Sequence, residues 1–187
     1  MKKISLIFLT LLTVLVEAQE CPEFNNSIAL LKSDNMMADL EEANATLTQK
    51  RQGLYGGWNN LIKLSGKTSG IILKSSETIF VFKPLNDNIK PNQQIKLFQF
   101  EEEKKSRALE TGGTNIFGGS KDKKSQDTSI PLKFEKTENG CYKITIGKEL
   151  TTGEYAFSLG ENASVQGQSS GYGQTSRGQL WYGFTIK

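Results

Sequence analysis

The sequence predicts an all-β protein, a single antiparallel β-sandwich or barrel of about ten short strands. Three observations carry this. Apolar and polar residues alternate with a period of two along most of the chain, as half-buried strands require. Turn formers interrupt these runs at short intervals, with 18 Gly among the 187 residues. No segment keeps a continuous apolar stripe of helical period.

The elements begin with an export signal. Lys2 and Lys3 precede an apolar run over residues 4–16, and Glu17-Ala18-Gln19 follows. A positive start, an apolar centre and a small residue before a polar boundary make residues 1–18 a secretory signal peptide, cut after Ala18. As a helix that run reaches only ~20 Å against a ~30 Å hydrocarbon core, so no transmembrane segment is expected in the mature chain. Glu20, charged and bulky, stands where lipid attachment to Cys21 would need a small residue. Residues 19–187 then form one β-domain, periplasmic or extracellular and associated with the envelope. Cys21 and Cys141 remain in an oxidising compartment, either bridged or as two thiols. A bridge would close a loop of about 120 residues and contribute on the order of 4–5 kcal/mol in the chain-entropy account.

Strands are expected at residues 28–32, 36–40, 45–49, 70–74, 78–83, 95–102 and 106–111, with Ser33-Asp34-Asn35 turning the first pair. A helix over residues 28–48 is the competing reading, because Leu30, Leu31, Leu40, Glu41 and Glu42 favour helices. The apolar residues there do not hold one helical face, which favours strands. In the last third the pattern is clearest. Leu132 and Phe134 alternate with Lys133 and Glu135, and Asn139-Gly140 supplies a hairpin turn before Tyr142, Ile144 and Ile146. Thr151-Thr152-Gly153 turns the chain again before Tyr155, Phe157 and Leu159. The chain closes with Leu180, Tyr182, Phe184 and Ile186 on one face and Trp181, Gly183 and Thr185 on the other. Residues 112–127 and 160–179, rich in Gly and Ser, are expected to be flexible loops.

Composition narrows the chemistry. With no His, the chain lacks imidazole acid/base catalysis, Ser-His and Cys-His nucleophile pairs, and His-ligated metals. Lys+Arg at 23 against Asp+Glu at 20 gives +3, too weak a field for a nucleic-acid binder. Residues 113–120 space their glycines like a phosphate loop, but Gly119 replaces the required Lys and no amphipathic helix follows. The run Glu101-Glu102-Glu103-Lys104-Lys105 reads as a solvated strand end, and Asp122 and Asp127 do not make a calcium loop. No cofactor, metal or catalytic residue is therefore expected. The Asn-x-Ser/Thr sequons at Asn25, Asn44 and Asn162 are read as chance in a bacterial exported chain. What remains is aromatic: Tyr55, Trp58, Tyr172 and Trp181 are the candidate ligand-binding residues, since exposed rings stack on sugars or pack on a partner.

The run Leu150-Thr151-Thr152-Gly153-Glu154-Tyr155-Ala156-Phe157, followed by Trp181-Tyr182-Gly183-Phe184, resembles the C-terminal end of a group of uncharacterised secreted or lipid-anchored bacterial β-domains. The upstream strand order is also similar, through Phe80-Val81-Phe82, residues 95–100 and an Arg107-containing strand. The resemblance implies an all-β fold and an envelope location, and carries no activity or ligand. Residues 160–179 and Glu20 depart from it. In physical terms Gly153 permits the turn, Tyr155 and Phe157 face the core, and Glu154 can hydrogen-bond a neighbouring loop. The functional expectation is a non-enzymatic exported module that binds an envelope protein or glycan or stabilises an envelope assembly. The alternatives are a carbohydrate-binding module, or a glycan-active enzyme using a pair of carboxylates.

Overall fold

Fourteen strands and one short helix are present among the residues that the computed structural model describes: 21–53, 56–75, 78–114, 120–121, 128–159 and 180–187. The signal-peptide reading lies outside them, as do most of the two expected loops. In chain order the strands are β1 (Ser27–Leu31), β2 (Met37–Asp39), β3 (Glu41–Asn44), β4 (Thr46–Arg51), β5 (Trp58–Ser65), β6 (Ile72–Leu73) and β7 (Ile79–Lys83). Helix α1 (Pro91–Gln94) leads into β8 (Ile95–Glu102), β9 (Ser106–Thr114), β10 (Ser120–Lys121), β11 (Leu132–Lys136), β12 (Tyr142–Ile146), β13 (Gly153–Leu159) and β14 (Leu180–Ile186).

The all-β expectation holds, with more strands than the sequence suggests, and β9 runs on to Thr114, into the segment expected as a loop from residue 112. Residues 28–48 form strands, and the helical alternative is not adopted. Local turn chemistry sets the hairpins. In the β1–β2 turn Asn35 takes φ +61° and Asp34 Oδ1 accepts the Met36 N–H at 3.1 Å. Between β11 and β12, Gly140 takes φ +81°, and the pair then runs in register from Lys136/Tyr142 to Leu132/Ile146. Ahead of β8, the loop after β7 is built around buried Gln94. Its Oε1 accepts the Leu85 and Asn86 N–H groups, and its Nε2 donates to the Asn86 and Ile89 carbonyls at 2.8 Å each.

Two sheets result. Five strands pair in the order β11-β12-β7-β1-β2. Seven more follow the path β3-β14-β13-β8-β9-β5-β4, every neighbour antiparallel. Only Ala45 separates β3 from β4, so the two ends of that path are one continuous segment and the sheet curls into a ring. Leu40 likewise joins β2 to β3, so residues 37–51 run through both sheets.

Curling gives the second sheet two buried faces. Outside the ring, Tyr155, Phe157, Tyr182, Phe184, Ile95 and Leu97 pack with Phe80, Phe82, Leu30 and Ile144 of the five-stranded sheet. Phe80 lies 4.9 Å from Phe157, edge on, and Tyr155 stacks on Phe184 at 5.6 Å. Inside it, Ala43, Ile62, Leu64, Phe98, Phe100, Leu109, Ala156 and Trp181 form a second apolar cluster. Cys21 and Cys141 are bonded, with Cα atoms 5.9 Å apart, which ties the start of the described chain to the β11–β12 turn.

Candidate functional site

The ring has two unlike ends. At the end where β5 stops and β9 starts, Arg107 points inward and is 1% exposed. Its Nη2 donates to Glu41 Oε1 at 2.6 Å and to the Ser65 carbonyl at 2.9 Å, while Nη1 donates to Glu41 Oε2 at 3.3 Å. Glu154, fully buried at the start of β13, brings Oε2 to 3.6 Å from the same Nη1. Its Oε1 accepts the Thr185 hydroxyl at 2.7 Å and its Oε2 the Ser69 N–H at 2.8 Å. Burial alone would raise the Glu41 carboxyl. Hydrogen bonds from Arg107 and Ser69, the Arg107 charge and the Gly70 N–H outweigh it and hold Glu41 below the ordinary carboxylate range.

Gly183 admits the guanidinium, because a Cβ there would sit 3.0 Å from Nη1. The cluster also fastens residues 66–71 across this end, since the Ser69 and Gly70 N–H groups reach Glu154 and Glu41. That segment feeds β6, which pairs parallel to β14. Glu154 thus hydrogen-bonds a neighbouring loop as its sequence position suggests. A pair of carboxylates does exist here, yet both are taken up by Arg107, Thr185 and backbone donors.

At the opposite end, β4 and β5 run on beyond the packed interior. Their register pairs Leu47 with Ile62, Gln49 with Asn60 and Arg51 with Trp58, all on the face that deeper down lines the ring. Here that face is open: Leu47 is 45% and Trp58 44% exposed. Gln49 Nε2 donates to Asn60 Oδ1 at 3.0 Å, which leaves the Gln49 carbonyl as an acceptor and the Asn60 amide as a donor two residues from the indole. An aromatic plane beside amide donors and acceptors matches a sugar, which offers an apolar C–H face ringed by hydroxyls. Leu159 and Leu180, which bracket residues 160–179, lie at this same end.

Of the four expected aromatics, Trp58 alone sits on the described surface. Tyr55 and Tyr172 lie outside the described residues. Trp181 requires a correction: it is fully buried, 5.7 Å from Phe98 and edge-on to Phe100 at 5.4 Å. Curling of the sheet converts what reads as the solvent face of β14 into barrel interior. Sequence reasoning missed Gln49, Asn60, Glu41 and the inward turn of Arg107. The available signal for Arg107 was its phase, in step with Leu109 on an alternating strand.

Among the described residues, no group of three or more His, Cys, Asp or Glu side chains is placed to hold a metal ion, and no helix is long and apolar enough to cross a membrane. No protein-family model matches the chain, and neither curated proteins nor solved structures yield a match.

Proposed function

We propose that the chain is an exported, non-enzymatic binding module of the bacterial envelope that takes a glycan at the open end of its barrel. The observation that carries this reading is Trp58, 44% exposed on the inward-facing side of the mouth beside the Gln49–Asn60 amide pair. Mouths of β-barrels are recurrent small-molecule sites, because a rigid wall there meets solvent. The opposite end supports it by contrast, since its charged groups are consumed in closing the ring. Glu41 and Glu154 accordingly serve architecture rather than glycosyl transfer.

The two tryptophans make the test direct. Trp181 is buried and Trp58 exposed, so soluble quenchers should reach Trp58 alone. Titration with envelope oligosaccharides should shift that quenchable emission, and in a calorimetric titration Trp58→Ala should abolish binding without changing the fold. Emission unmoved by every glycan, together with specific capture of a protein from envelope extract, would replace the glycan with a protein partner.

A further inference from the structure

Away from the barrel mouth, a cleft of about 500 Å³ opens between the end of β1, the β1–β2 turn, β6, β7 and β12. Its volume falls within the ~300–1,000 Å³ of small-molecule sites. Its walls are aliphatic. Leu30 and Leu73 are buried, Ile79 is half-buried, and Ile72 stands at the rim 53% exposed. Such exposure of an isoleucine beside a concave apolar wall leaves surface that a bound alkyl chain would remove from water.

The polar lining is basic. Lys32, just past β1, and Lys143 from β12 both border the cleft, against Asp34 as the single acidic lining residue among those described. Asp34 is committed to its own turn through the Met36 N–H. Glu135, the register partner of Lys143 on β11, is not among the described residues that line the cleft. Among the described lining residues there is no aromatic ring, which favours an alkyl chain over a base or a sugar.

We propose that this cleft binds a free long-chain fatty acid, its alkyl chain along Leu30, Ile72, Leu73 and Ile79 and its carboxylate at Lys32 and Lys143. The site is separate from the barrel mouth and does not depend on it. The wall carrying Ile72 and Leu73 is β6, held in place along β14: the Thr185 N–H donates to the Ile71 carbonyl at 2.8 Å and the Lys187 N–H to the Leu73 carbonyl at 3.1 Å.

The mature chain, with its Cys21–Cys141 bond intact, should be titrated with 11-(dansylamino)undecanoate, and the bound probe displaced with palmitate or with hexadecanol. Saturable, blue-shifted emission is expected, with palmitate displacing the probe at least tenfold more effectively than the neutral alcohol. Ile72→Asp, an exposed change that folding tolerates, should weaken probe binding at least tenfold while leaving the circular dichroism unchanged. The double change Lys32→Glu with Lys143→Gln should erase the preference for palmitate, and Trp58→Ala should alter none of these readings. Absence of saturable binding, indifference to Ile72→Asp, or equal displacement by the alcohol would each overturn the proposal.

Discussion

Arg107 is a guanidinium at 1% exposure, and it is tolerated only because two carboxylates and a carbonyl meet it. Arg107→Leu would leave Glu41 and Glu154 close together without their shared cation, and removal of one partner from a buried ionic group typically costs about 3–5 kcal/mol. Urea denaturation at neutral pH should show a loss of that order. The same cluster sets an acid limit. Glu41 is held below its ordinary 4.5, so its contribution is complete above that value and disappears as pH falls through the lowered one. The urea midpoint should therefore decline below about pH 4.5, and Glu41→Gln should lower stability at neutrality while flattening part of that decline.

Strand β9 depends on a glycine at its far end. A Cβ on Gly113 would lie 2.3 Å from the Trp58 carbonyl oxygen, a backbone atom with no freedom to withdraw. Gly113→Ala should part the last pairs of β5 and β9 and cost on the order of 1–3 kcal/mol. Because the displaced strand carries Trp58, the loss should appear both in the urea midpoint and in the emission of the exposed indole. Elements whose signals are local were legible in the sequence: the Asn139-Gly140 hairpin, the Ser33-Asp34-Asn35 turn and the alternation of β11 to β14. Strand β5 was not. Leu61-Ile62 breaks the period of two because both faces of the curled sheet are buried, and Asn59 and Asn60 find their amide partners, Gln52 and Gln49, only across the folded β4–β5 pair. The same burial of both faces hid the role of Trp181. The Arg107–Glu41 pair spans 66 residues, beyond the reach of any local pattern.

Across the whole molecule the disulfide is the longest covalent constraint, bridging 120 positions. Cys21→Ser with Cys141→Ser should lower stability by about 4–5 kcal/mol, since the unfolded chain regains the entropy of that open loop. Reduction of the unaltered protein should reproduce the loss in a thermal melt. A larger coupling comes from residues 37–51, which serve the five-stranded sheet at one end and close the ring at the other. The layers share a backbone as well as an apolar interface, so neither can melt and leave the other standing. Heating should accordingly produce one transition whose calorimetric enthalpy equals its van't Hoff enthalpy, with no partly folded species between. A ligand gripping either layer would then raise the melting temperature of both.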